Sequence, residues 1–290
     1  MKVSGFSFIR NAITYDYPIV EAIQSILPLC DEVVIAVGKS DDATRELIAS
    51  IDPKVRIIDT LWDDSLREGG RVLAVETDKA FAEISQDSDW AFYIQGDEVI
   101  HEKYHDAIRA GMQEHLDNPQ VDGLLFNYLH FYGSYDYVGT STKWYHSEIR
   151  IVRKRDDIFS FRDAQGFRKR PDDLLRVKAL DAYVYHYGWV KAPEAMQKKQ
   201  ESFHKLWHDD QWMEQNIAQA ESFDYLAHIK ELGKFDGTHP KVMQARIDEK
   251  NWKFDYDISY NRTSLKDRFK KAVKKYAGLD FSYQNYKLLK

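Results

Sequence analysis

Two carboxylates stand directly behind an unbroken apolar run: Trp90-Ala91-Phe92-Tyr93-Ile94 gives way at once to Gln95-Gly96-Asp97-Glu98. An acid at the end of a buried strand has a rigid base at the mouth of a cleft. A hard divalent cation takes such oxygen ligands and usually shares them with substrate phosphates. The same pair would serve equally as a helix N-cap and first-turn acid. His186, in Tyr185-His186-Tyr187-Gly188-Trp189, offers an imidazole as a further metal ligand or phosphate contact, or is a hydrogen-bonded core histidine. Arg10-Asn11 and Gly38-Lys39-Ser40-Asp41-Asp42 are polar clusters that follow two other apolar runs. Asp163, in Phe161-Arg162-Asp163-Ala164-Gln165-Gly166, has the chemistry of a general base, as do Asp136, Glu148 and Asp172, and the residues alone do not rank them. Arg168-Lys169-Arg170 either holds phosphate or is a solvated basic loop. His204 and His208 stand four apart, but with no third ligand in a recognisable motif a solvated helix face outweighs a zinc site.

These clusters need elements that bring them together. Residues 3–9, 33–37, 55–58 and 90–94 read as strands, the second continuously apolar and β-branched as in a strand buried on both faces. Helical spacing separates them: Val20, Ile23 and Leu27 after Pro18, then Leu47 and Ile48 behind Ser40-Asp41-Asp42, then Val72, Val75 and Ala82. Strand alternating with helix predicts an α/β fold with a parallel, doubly wound sheet. Ligands of such sheets bind beyond the carboxyl ends of the strands, where all three polar clusters fall. A helix over 103–116 and strands over 123–132, 149–153 and 181–187 complete this part. The Tyr-rich segment 128–145 lines an acceptor side or forms a buried hairpin. Beyond Pro193 polar helical patterns dominate, which sets a boundary near residue 190 between a catalytic domain (1–190) and a helical extension packed on it (191–290).

The bulk numbers narrow the function. A net charge of −6 argues against nucleic acid as the main partner, since phosphate backbones need a basic footprint. The single Cys30 excludes an internal disulfide, and with no signal segment or apolar span in view the expectation is a cytoplasmic protein. Aromatic residues make up 14% of the chain, which suits clefts that stack on rings or sugars, and suits a large aromatic core as well. There is no GxxxxGK[ST] and no dinucleotide glycine fingerprint, which weakens two common phosphate-binding readings. Leu265, Phe269, Val273 and Tyr276 share one helical face, surrounded by Lys266, Arg268, Lys270, Lys271, Lys274 and Lys275. This stripe predicts either peripheral contact with an anionic inner membrane face or packing on the core.

The stretch Asp89-Trp90-Ala91-Phe92-Tyr93-Ile94-Gln95-Gly96-Asp97-Glu98-Val99 resembles the "DWILFLDADEV" segment of family 2 glycosyltransferases, inverting enzymes of the GT-A fold. Other segments fall in the family's order. Ser7-Phe8-Ile9-Arg10-Asn11 resembles the opening strand and nucleotide loop, and residues 34–44 resemble the "VDTGSTDGT" segment. Gly69-Gly70-Arg71-Val72-Leu73-Ala74 resembles the "GxARNxAL" helix start, and residues 182–189 resemble the closing "YHYGW". The resemblance covers residues 3–190 and implies a GT-A-type, mostly parallel sheet. It implies a nucleotide-sugar donor, a UDP-sugar first, an acceptor hydroxyl on a glycan or lipid-linked saccharide, and a divalent metal, Mn²⁺ or Mg²⁺. By position, Asp97 and His186 would hold the metal. Arg10, Asn11, Gly38, Ser40, Asp41, Asp42 and Gln95 would line the nucleotide pocket, Arg71 would approach the diphosphate, and Asp163 would act as base. Gln95 departs from the family's first acid. That departure keeps open a non-catalytic nucleotide- or carbohydrate-binding protein on a degenerate transferase. A nucleotidyltransferase is the other rival, and the missing glycine after the first strand counts against it.

Overall fold

A computed structural model of the protein describes residues 1–63, 65, 66, 68–205, 207, 212, 220–229, 231–261 and 284–290. The N-terminal part alternates strand and helix as the pattern requires: β1 Val3–Ile9, α1 Ile19–Ile26, β2 Glu32–Gly38, α2 Thr44–Ala49, β3 Val55–Thr60, α3 Arg71–Glu83 and β4 Trp90–Tyr93. There follow β5 Glu98–Ile100, α4 His105–Glu114, β6 Gly123–Tyr132, β7 Ser134–Gly139, β8 Ser147–Arg153, β9 Ile158–Phe161, β10 Gly166–Lys169 and β11 Asp173–Trp189. Beyond these lie α5 Pro193–Lys205, β12 Leu232–Lys234 and β13 Tyr286–Leu288.

The main sheet runs β3-β2-β1-β4-β8-β6-β11-β10-β9. β3, β2, β1 and β4 are mutually parallel. β8 is antiparallel to both β4 and β6, and β11 is parallel to β6, so β6 and β11 share the direction of the first four. Only β8 and β10 oppose it on this path, among the described residues. This is the expected α/β architecture, a mostly parallel sheet flanked by helices.

The apolar run of β2 explains why the sheet is covered on both faces. Val33, Ile35 and Val37 pack with Ala22, Ile23 and Ile26 of α1. Val34 and Ala36 face the other way, with Val72, Leu73, Ala80 and Phe81 of α3. Each such side chain contributes about 1.5–3 kcal/mol when fully buried, so the strand cannot slip register without turning one set into the wrong core. The Tyr-rich segment is mostly a buried hairpin: Tyr128, Tyr132, Tyr135 and Tyr137 are all in the core. The segment beyond residue 190 is more than helix. β12 pairs with β7 and β13 with β11, so it is woven into the sheet. The basic stripe Leu265, Phe269, Val273 and Tyr276 lies outside the described residues, as does His208. Among the described residues no helix is long and apolar enough to cross a membrane.

Candidate functional site

The ends of β1 and β2 form the first wall. Asn11 takes a left-handed backbone (φ 53°), which asparagine tolerates better than most residues. Its side-chain oxygen accepts the Asp41 N–H at 2.8 Å, and its own N–H donates to Ser40 Oγ at 3.0 Å. Ser40 Oγ in turn donates to the Gly38 carbonyl at 2.9 Å. Asp42 accepts from the Thr14 N–H and hydroxyl, both at 2.8 Å, and from Thr44. Burial works against its charge, yet these hydrogen bonds hold its carboxyl below the ordinary carboxylate range. Ser40 and Asp42 are therefore spent on fixing the loop. Asn11 and Asp41 line the adjoining cleft with Arg10 and Lys39. Gly38 acts through its lack of a side chain, because a Cβ there would lie 2.4 Å from Trp62 Nε1. The Arg10 guanidinium sits over the Trp62 ring, 4.4 Å from its centroid. Trp62 stands alone in the polar stretch between β3 and α3, with no periodic pattern around it to mark a ring at the site.

The second wall separates the two acids behind β4. Glu98 points into the core and is fully buried, paired with Arg150 through Nε–Oε2 at 2.8 Å and Nη2–Oε1 at 2.7 Å, and accepting the Tyr128 hydroxyl at 2.7 Å. Asp97 faces the cleft. Its Oδ2 accepts from Lys199 Nζ at 3.0 Å and its Oδ1 lies 3.7 Å from His186 Nε2. Burial opposes its ionisation, yet the Lys199 ammonium holds its carboxyl well below the usual carboxylate range.

The His186 tautomer follows from its neighbours. Burial favours the neutral form of both His186 and His130. His130 Nε2 lies 2.8 Å from the Tyr145 carbonyl, which can only accept, so this nitrogen carries the proton. His130 Nδ1 must then accept from His186 Nδ1–H at 3.2 Å. That leaves His186 Nε2 bare beside Asp97. Gly188 makes room for the pair: a Cβ there would fall 2.7 Å from Asp97 Oδ2 and from His186 Nε2. Gly188→Ala should leave the fold intact by circular dichroism while shifting the His186 ring signals in an NMR spectrum, because the two side chains must move apart to admit the methyl group; unshifted signals would show that the pair does not pack on Gly188.

The loop between β9 and β10 carries Asp163 between Arg162 and Ala164, both left-handed (φ 57° and 63°), a conformation persisting only where surroundings enforce it. Two side chains do so. Gln95 Nε2 donates to the Ala164 carbonyl at 3.0 Å and Arg150 Nη1 to the Gln165 carbonyl at 2.9 Å. The amide that replaces the expected acid at position 95 thus ties β4 to the loop. Asp163 is half-buried, and burial raises its pKa above the ordinary range. Arg71 is exposed at the start of α3 and lines a second groove with Asp163 and Gln165, one that does not include Asp97 or His186. Of the other acids, Glu148 is buried, accepts from Gln165 Nε2 at 2.8 Å and has its pKa pushed up to about 8 by burial.

Arg10, Trp62, Gln95, Asp97, Asp163 and His186 thus line one cleft of about 460 Å³, closed on the remaining side by Trp144, Tyr145 and Trp189 and by Lys199 of α5. Among the described residues no cluster of three or more His, Cys, Asp or Glu could hold a metal ion. Asp97 Oδ1 and the bare His186 Nε2, 3.7 Å apart, are donor types that would suit a cation completed by ligands from outside the chain, with His130 orienting the imidazole from behind.

No protein-family model matches the chain, and no curated protein matches it. Among solved structures it is similar to S. aureus TarS, at TM-score 0.41 and 16% identity over 70% of this chain and 39% of that one. It is also similar to S. aureus TarS 1-349 in complex with UDP (TM-score 0.40, 15% identity, 76% of this chain and 68% of that). A third is glucosyl-3-phosphoglycerate synthase from Mycobacterium tuberculosis in complex with Mn²⁺, UDP and glucosyl-3-phosphoglycerate (TM-score 0.30, 17% identity, 46% and 45%). The chain thus spans about two fifths of the first of these.

Proposed function

We propose that the chain is an inverting glycosyltransferase that takes a sugar from a nucleotide-sugar, a UDP-sugar first, and delivers it to an acceptor hydroxyl on a glycan or lipid-linked saccharide. The observation that carries this reading is the meeting, in one cleft, of an acid–imidazole pair at the sheet's carboxyl edge and a separately held, half-buried carboxylate, Asp163. The nucleoside lies along Asn11 and Asp41, with the Arg10–Trp62 stack beside it. Its diphosphate meets Asp97 and His186, the residues that would hold Mn²⁺ or Mg²⁺. When bound, that ion neutralises charge on the departing nucleoside diphosphate. Asp163 accepts the acceptor's hydroxyl proton as the oxygen attacks the anomeric carbon. A new C–O bond forms while the bond to the diphosphate breaks, and the single displacement inverts the centre. Trp144, Tyr145 and Trp189 offer flat apolar faces to the sugars.

Calorimetric titration with UDP, GDP, CDP and dTDP, with and without Mn²⁺, tests the reading. UDP should bind, tighten at least about tenfold with Mn²⁺, and lose that tightening in Asp97→Ala, a difference of about 1.4 kcal/mol or more. Failure of all four to bind with Mn²⁺ present would leave an α/β protein with a different ligand.

A further inference from the structure

Lys199 belongs to none of the segments with a recognisable pattern, yet it reaches the centre of the cleft. It stands on α5, beyond residue 190, and is 8% exposed. A lysine this buried is rare unless paired. Its ammonium donates to Asp97 Oδ2 at 3.0 Å and to the Gly188 carbonyl at 2.8 Å. It also lies 5.0 Å from the centroid of the Tyr17 ring. An ammonium has three donors, so one N–H remains for a ligand oxygen in the cleft that the side chain lines. The same helix brings Lys198, Glu201, Ser202 and Lys205, at helical spacing, to the adjoining part of the cleft, where Arg10 and Lys39 stand with Asp41 and Asp63.

Charge explains why a cation is wanted there. Asp97 is buried as half of an ion pair with Lys199, and a nucleoside diphosphate brought beside it adds further negative charge in a medium of low dielectric. A mobile metal ion offsets that repulsion only while it is bound. Lys199 offsets it permanently, and on the Asp97 oxygen opposite to the one His186 approaches.

We infer that Lys199 is a built-in cation of the diphosphate site, contacting the donor's phosphate oxygens directly so that UDP binding persists when divalent metal is removed. This rests on the glycosyltransferase reading, and it makes α5 part of the donor site rather than an appendage to it.

The test is calorimetry in excess EDTA, with UDP and UMP as ligands, on the full chain and on Lys199→Met and Lys199→Arg. UDP should bind the parent protein without metal. Lys199→Met should weaken it about ten- to hundredfold, the worth of a hydrogen bond to a charged group. Lys199→Arg should keep most of the affinity, and UMP should change far less than UDP, a selectivity that a merely structural lysine would not produce. Should Lys199→Met melt early because Asp97 is left unpaired, Asp97→Asn/Lys199→Met is compared in EDTA with Asp97→Asn alone, and the double variant should still bind UDP more weakly because the direct contact to phosphate is missing. UDP bound equally by parent and Lys199→Met, or bound only with Mn²⁺, overturns the inference and leaves the transferase reading standing. No binding of UDP, GDP, CDP or dTDP, with or without Mn²⁺, overturns both.

Discussion

On the proposed transferase reading, Asp163→Asn should slow UDP-sugar hydrolysis by two to four orders of magnitude, the usual worth of a positioned general base, while UDP affinity stays within about twofold. Asparagine keeps the shape of the side chain and removes only its capacity to take a proton. The loop should not move, because its anchors are elsewhere: Gln95 holds the Ala164 carbonyl and Arg150 the Gln165 carbonyl. A pH profile separates this role from a binding role. Burial raises the Asp163 pKa, with Arg162 and Arg150 opposing it. The base is active only when ionised, so kcat should fall as pH drops through a value above the ordinary carboxylate range. That acid limb should vanish in the variant. An unaltered rate would remove Asp163 from the chemistry. A rate lost together with UDP affinity would make it a binding residue instead.

How much of this was legible in the sequence follows from what each signal measures. Apolar periodicity reports burial, so the alternation of β1 to β4 with α1 to α3 could be read directly, and so could the placing of polar clusters at strand ends. Periodicity does not report which of two adjacent residues faces the cleft. Asp97 and Glu98 looked equivalent, yet Glu98 turns into the core onto Arg150 while Asp97 meets His186. In the loop after β2 the three polar residues Ser40, Asp41 and Asp42 looked alike as pocket walls. Hydrogen bonds spanning about thirty positions of sequence assign Ser40 and Asp42 to holding it and leave Asp41 at the cleft. Arg71 sits on the expected helix start, but it lines a groove that does not include Asp97 or His186. Lys199 and Trp62 were missed for a common reason. Each reaches the site from a segment whose local pattern reads only as polar helix or loop, and long-range packing alone brings it in.

Arg150 links the core to this chemistry, and its loss should have the largest effect on stability. Arg150→Met leaves Glu98 ionised or forced to protonate among Tyr93, Tyr128 and Tyr145, with both members of the original pair fully buried. Removing one partner of such a pair costs about 3–5 kcal/mol, because the remaining charge has lost its counter-ion and cannot regain water. Urea unfolding should show that loss as a lower midpoint at unchanged slope. Glu98→Gln combined with Arg150→Met removes the stranded charge and should recover most of the stability, since the pair's attraction is largely offset by its own desolvation. Activity should not recover with it. The guanidinium also donates to the Gln165 carbonyl, and neither methionine nor glutamine at these positions replaces that bond to the loop bearing Asp163. A double variant that is stable yet slow would show that the buried pair positions the base as well as the sheet. A double variant restored in both would confine Arg150 to the core, and a single variant as stable as the parent would contradict the pairing itself.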